Sequence, residues 1–289
     1  MFKKLKKKIN ILLVLGRYNY PTGAFLLMWP CFWGVLYNPN FKSDYLFTLF
    51  LLFIGSFVMR GAGCCINDFF DKDLDKKVKR TKNRPLAKNL LSHIDVLSFI
   101  VFQLILGFII LVNFNAKVIF FSLLIFPMVI MYPLFKRVTN FPQVILGLVF
   151  NWGVLIGFLT QNNQLDLGVI YLYLSGIFLT IAYDTIYAFQ DISDDKLAGV
   201  KSLAIYLEKK PRIIIFFIFV ISFIFLNLSI IEKKHSNFFE TIALTLTVFF
   251  CYIIQYLNFK NNKSYKSIFD FSVYVGAVIT IVIFLQNYL

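Results

Sequence analysis

Apolar residues along this chain of 289 residues come in long unbroken runs, not in the short alternating or amphipathic stretches of a soluble fold. A helix needs about 17–25 apolar residues to cross a hydrocarbon core. Runs of that order lie near 21–37, 45–62, 94–113, 117–135, 142–160, 167–190, 212–231, 238–257 and 267–288, the first of them short and interrupted by Pro30. Two of the intervening polar segments, near 63–93 and 191–211, are longer than the rest. Apolar runs recur to the last residue, so they are not a single removable leader. The pattern predicts an all-α polytopic membrane protein with about nine transmembrane helices. They form one intramembrane domain over 1–289, bundled around a cavity open to the cytoplasmic side.

Composition agrees: 59% of residues are hydrophobic and 15% charged, too little polar surface to cover a soluble core of this size. A net charge of +14 in a soluble chain would raise nucleic acid as a partner. Here the basic residues lie between apolar runs, and no nucleic-acid partner is expected. They also fall on alternate segments: only Lys42, Lys117, Lys233 and Lys234 lie on the poorer side. The positive-inside rule then predicts a cytoplasmic N-terminus and an external C-terminus. Cys31, Cys64, Cys65 and Cys251 lack metal-ligand spacing, and His93 and His235 are isolated, so all six read as structural or incidental.

Two acidic clusters stand out on the basic side. The first, Asn67-Asp68-Phe69-Phe70-Asp71-Lys72-Asp73-Leu74-Asp75, follows the second run and, as a helix, stacks Asp68, Asp71 and Asp75 on one face with Asn67 beside them. The second is Asp191-Ile192-Ser193-Asp194-Asp195, with Asp184 two turns earlier inside an apolar run. Stacked carboxylates repel by a few tenths of a kcal/mol per pair in water, and by more at a membrane boundary. A hard divalent cation offsets that repulsion and bridges to phosphate oxygens. The plain alternative is solvated charge neutralised by Lys72, Lys76 and Lys77; recurrence of acids at the same membrane face favours the metal reading. Interleaved with the acids are Arg17, Arg60, Arg80, Arg84, Lys136, Arg137 and Lys201. Taken singly each reads as positive-inside anchoring; together with the acids they suit a metal–diphosphate site.

Asn67-Asp68-x-x-Asp71-x-x-x-Asp75, Asp191-x-x-x-Asp195 and Tyr132-x-x-x-Lys136 resemble the three short motifs of the UbiA superfamily of intramembrane prenyltransferases. The stretches Lys79 to Leu86 and Tyr183 to Asp191 are most similar to its 4-hydroxybenzoate polyprenyltransferases, which serve ubiquinone biosynthesis. The resemblance implies transfer of a polyprenyl group from an allylic polyprenyl diphosphate to the ring of 4-hydroxybenzoate, ortho to the hydroxyl, in a bacterial inner membrane. It implies Mg²⁺ held by Asn67, Asp68, Asp71, Asp75, Asp191 and Asp195, with Asp71 and Asp191 essential and Asp191 a candidate base. Arg80, Arg84, Lys136 and Lys201 would hold diphosphate, and Arg17 or Arg137 the acceptor carboxylate. Tyr132, Tyr183 and Tyr187 would shield an allylic cation. Two other readings stay open. One keeps the superfamily with a naphthoate, haem, chlorophyllide or lipid acceptor. The other is an ion-coupled transporter, for which Asp184, Asp191 and the mid-depth Asn151 would be the path.

Overall fold

The computed structural model describes residues 2–37, 44–233, 238–260 and 264–287, so Lys42, Lys234, His235 and Lys263 lie outside the described residues. Those described are helical throughout their regular structure. Among the described residues, eight helices are long and apolar enough to cross a membrane, by length and composition, and a ninth apolar helix is shorter. The short one is α2 (Thr22–Tyr37), which carries Pro30. The long ones begin with α3 (Tyr45–Asp75), α4 (His93–Leu111), α5 (Ala116–Val138), α6 (Pro142–Leu159) and α7 (Leu167–Ala188). After the short helices α8 (Ile192–Ala198) and α9 (Leu203–Tyr206) come α10 (Pro211–Ile231), α11 (Phe238–Lys260) and α12 (Tyr265–Leu285).

Two features depart from the expected segments. An amphipathic helix, α1 (Phe2–Leu15), occupies the basic N-terminal stretch and leaves Leu5, Ile9 and Leu13 exposed along one stripe. Lysines on one side and apolar residues on the other suit a helix lying in the headgroup layer. And α3 does not stop near residue 62: it runs 31 residues to Asp75, so the first acidic cluster is the projecting end of a transmembrane helix, not a loop. At 1.5 Å per residue such a helix is about 46 Å long and must extend past the hydrocarbon.

The helices form a ring. α3 packs on α4 and α5, α5 on α6, α6 on α7, α7 on α10, and α10, α11 and α12 lead back to α2 and α3. Across the ring α2 meets α6 backbone to backbone, because a Cβ at Gly34 would overlap the Val154 carbonyl and one at Gly157 the Cys31 carbonyl. Small residues at helix contacts are how membrane helices gain dispersion energy without a hydrophobic drive. Buried hydrogen bonds add to this: Ser222 Oγ lies 3.0 Å from Tyr252 Oη and donates to the Ser175 carbonyl at 2.9 Å. Asn151, the mid-depth polar residue a transporter path would need, instead donates to Gly147 O at 2.9 Å and Thr180 Oγ1 at 2.8 Å. It joins α6 to α7. The four cysteines are free thiols, and His93 starts α4 with its ring against Phe69.

Candidate active site

The helical continuation of α3 turns Asp68, Asp71 and Asp75 inward, all buried, while Asp73 points out to Lys76. Each inward carboxylate is met by a cation from a different part of the chain. Arg17, in the turn between α1 and α2, donates from Nη2 to both Asp68 oxygens at 3.0 and 2.8 Å. Arg84 Nη1 donates to Asp68 at 3.0 Å and to both oxygens of Asp75 at 3.0 and 2.9 Å. Burial works against the Arg84 charge, but Asp68 and Asp75 outweigh it and hold the guanidinium above its ordinary range. Lys136, at the end of α5, bonds to Asp71 Oδ2 and is in electrostatic range of Asp195.

The second cluster sits where α7 ends in a 3₁₀ turn, Phe189–Asp191, before α8 begins. Arg80 closes on Asp191 from Nε at 3.1 and 2.8 Å and from Nη2 at 2.7 Å. The Lys79 backbone N–H donates to Asp194 at 2.8 Å. Gly199, at φ 73°, ends α8 in a left-handed cap. The segment carrying Lys79, Arg80 and Arg84 therefore spans the two acidic clusters and joins them at one end of the bundle. Among the described residues no three carboxylate, thiol or imidazole side chains converge as a ready-made metal cage. One buried acceptor is nevertheless left open: Asp71 Oδ1 makes no hydrogen bond among the described residues, and Arg137 Nη2 stands 3.9 Å from it.

Beneath the clusters lies a polar cavity of about 220 Å³. Arg17, Asn67, Asp68, Arg84, Tyr132, Tyr183 and Tyr187 reach it, together with Arg60, Asp184 and Phe269. A second compartment of about 150 Å³ shares Arg17, Arg60, Arg84, Asp184, Tyr187 and Phe269 and adds Arg80 and Tyr20. Tyr20 is bonded to Asp270, which also accepts from Thr22 Oγ1 at 2.9 Å, tying the turn before α2 to α12. A third cavity, apolar and about 580 Å³, runs between α3, α4, α5 and α6. It shares Arg60, Gly63, Val129, Val149 and Phe150 with the polar one, so the two adjoin across these side chains.

Some expected residues lie elsewhere. The Lys201 ammonium donates to the Val138 carbonyl at 3.0 Å and its backbone N–H to the Lys136 carbonyl at 2.8 Å, so it braces the end of α5. Arg137 is exposed and donates to the Phe70 carbonyl at 2.6 Å. Arg60 takes the cavity position instead: its guanidinium lies 5.2 Å from the Phe150 ring centroid, and its buried Nε lacks a hydrogen-bond partner. An arginine near the end of an apolar run is the one signal that singled it out in sequence.

Comparison with known proteins matches this architecture. The chain is 44% identical over 201 residues to a protein of Drosophila pseudoobscura pseudoobscura named 4-hydroxybenzoate polyprenyltransferase, mitochondrial, covering 69% of this chain and 51% of that one. It thus spans about half the length of that relative. Among solved structures, the apo form of a UbiA homologue from Aeropyrum pernix K1 superposes with a TM-score of 0.76 at 20% identity, over 91% of this chain and 97% of that one. A UbiA homologue from Archaeoglobus fulgidus bound to GPP and Mg²⁺ gives 0.72 at 16% identity, over 96% and 100%. The family model for UbiA prenyltransferases matches residues 27–275, and the chain, an integral membrane protein with this fold, belongs to the UbiA prenyltransferase family.

Proposed function

We propose that the protein transfers a polyprenyl group from an allylic polyprenyl diphosphate to 4-hydroxybenzoate, ortho to its hydroxyl, with Mg²⁺ at the acidic clusters. The observation that carries this is that two unlike cavities adjoin. One is arginine-rich and walled by Tyr132, Tyr183 and Tyr187; the other is apolar and about 580 Å³. A prenyl diphosphate has the same division between charged head and hydrocarbon tail. The name of the insect relative supports the acceptor, and the ligands of the archaeal homologue support the donor and the ion.

The residues fit Mg²⁺. The donor set is hard oxygen, and the unpartnered Asp71 Oδ1 is a buried lone pair that a cation would satisfy. Asn67, Asp71, Asp191 and Asp195 would hold it, with Asp68 and Asp75 behind them. When bound, the ion draws the negative charge that builds on the departing diphosphate. Arg80, Arg84 and Lys136 add fixed positive charge at that point, and Lys201 steadies Lys136 through its backbone. The faces of Tyr132, Tyr183, Tyr187 and Phe269 shield the allylic carbon from water and attract its developing charge. Arg60 is our assignment for the acceptor carboxylate, because Arg17 is committed to Asp68 and Arg137 to the Phe70 carbonyl. The lysine and arginine bias supports a site facing the cytoplasm from a bacterial inner membrane. The matrix face of a mitochondrial inner membrane is its topological equivalent.

The test is direct. Purified protein in lipid nanodiscs is given labelled 4-hydroxybenzoate, geranyl diphosphate and Mg²⁺, and the product is identified by mass spectrometry. The ring-prenylated acid should form, disappear with EDTA and return with added Mg²⁺. Activity that survives EDTA, or an untouched acceptor, overturns the reading.

A further inference from the structure

Ring prenylation leaves an arenium carbon bearing one hydrogen too many, and some base must take that proton. We infer that the base is Asp184, a residue outside both acidic clusters; this rests on the 4-hydroxybenzoate reading above.

Asp71 is bonded to Lys136, and Asp191 is clasped by Arg80. Asp75 is clasped by Arg84, and Asp195 is not among the residues lining either polar compartment. Two carboxylates line the polar cavity, Asp68 and Asp184. Asp68 accepts three hydrogen bonds, two from Arg17 and one from Arg84. Asp184 is the acid that lines both polar compartments, and among the described residues no hydrogen bond or close ion pair ties it down. Arg60 and Arg80 act on it from farther away, through space. A carboxylate kept within a transmembrane helix without a bonded partner is expensive, and such groups mark function.

Depth gives an independent reason. Asp184 precedes Asp191 by seven residues, so it lies about 10 Å further along α7 from the diphosphate site. That is the side on which the allylic carbon and the acceptor must sit, between the clusters and the apolar cavity. Arg60 borders the same compartments. In 4-hydroxybenzoate the reacting carbon is meta to the carboxylate. A base beside the carboxylate's anchor therefore faces the C–H bond that must break.

The step balances. The allylic C–O bond breaks and its electron pair leaves with the diphosphate. A ring π pair forms the new C–C bond. Asp184 takes the proton from that same ring carbon, the C–H pair restores aromaticity, and the proton passes on to cavity water or diphosphate. Asp184 is thus a catalytic residue of the proposed reaction.

The experiment compares wild type with Asp184→Asn and Asp184→Glu in nanodiscs, using geranyl diphosphate, Mg²⁺ and 4-hydroxybenzoate with hydrogen or deuterium at ring positions 3 and 5. A lost general base costs ~10²–10⁴-fold in rate. Asp184→Asn should show that loss in kcat, keep the donor KM, and develop a primary isotope effect as proton removal becomes limiting. Asp184→Glu, which keeps the carboxylate, should recover part of the rate. Retained thermal stabilisation by geranyl diphosphate and Mg²⁺ reports an intact fold. An active Asp184→Asn, or one whose slowed rate shows no isotope effect, overturns the assignment. If Asp184→Asn does not fold, Asp184→Glu decides: a folded Glu variant with no turnover overturns it, and partial turnover with an isotope effect supports it. A wild type that prenylates nothing defeats the reading beneath, and the base falls with it.

Discussion

Gly63 offers a perturbation whose effects on stability and activity should have opposite signs. It lies on α3 between Arg60 and Asn67 and borders both the polar and the apolar cavity, and a Cβ built there meets nothing within 4 Å. Glycine inside a helix is worth about 0.8–1 kcal/mol less than a good helix former. Gly63→Leu should therefore leave the fold at least as stable as wild type. By the ~2–4 °C per kcal/mol typical of domains of this size, its melting midpoint should rise by a few degrees at most. The same side chain projects into the aperture that a prenyl tail would thread. One isoprene unit has five carbons, and at ~0.8 kcal/mol per buried CH₂ its burial is worth roughly 4 kcal/mol before losses. Forfeiting half of that lowers kcat/KM about 30-fold for a long donor. Dimethylallyl diphosphate, a single unit, should be much less affected. Steady-state kinetics with C5, C10 and C15 donors, beside differential scanning fluorimetry, reads both effects. A stable Gly63→Leu protein with an unchanged ratio of long-donor to short-donor kcat/KM would show that the tail does not pass this point.

Two further substitutions test the charged framework. Arg84→Met strips Asp75 of its guanidinium while Arg17 still holds Asp68. Breaking a buried pair costs ~3–5 kcal/mol, so a loss somewhat below that range is expected in denaturant titrations in detergent, with Asp75→Asn in the same background recovering at least half. Equal midpoints for Arg84→Met and wild type would mean the pairing stabilises nothing. Arg60→Ala should raise the acceptor KM by about 10–150-fold, the equivalent of a ~1.5–3 kcal/mol charged hydrogen bond, and leave the donor KM alone. A rise shared by both substrates would count against Arg60 as the acceptor's anchor.

Much of this architecture is legible in the sequence because its signals are local. Apolar length finds the helices, and the i, i+3, i+7 spacing of Asp68, Asp71 and Asp75 finds their common face without knowledge of what that face meets. The end of α3 was not legible. Hydropathy falls after residue 62, yet the helix continues because its acidic turns are supported by Arg84 and Lys136 from later in the chain. Pairings between positions such as 17 and 68 or 80 and 191 depend on how helices pack, which no local pattern encodes. Lys201 and Arg137 show the converse. Their charge and position suited the site, but carbonyl groups at 138 and 70 claim them.

Arg17 shows how strain in the fold and charge in the site depend on each other. It adopts a left-handed backbone, φ 62°, which costs a non-glycine residue roughly 1–2 kcal/mol. That conformation ends α1 and lets Nη1 donate to the Val14 and Leu15 carbonyls at 3.2 and 3.0 Å, while Nη2 reaches Asp68. The last carbonyls of α1 and a buried carboxylate of α3 are thereby satisfied by one guanidinium. Glycine at this position would relieve the backbone and remove the guanidinium from both ends, with Asp68 then relying on Arg84 alone. Because Arg84 is also the cation of Asp75, the acids of α3 are held by a shared set of charges and not by separate pairs. On the proposed reading, a diphosphate entering the cavity would meet arginines already ordered by carboxylates, and would need only to compete for their free N–H groups, not to gather them.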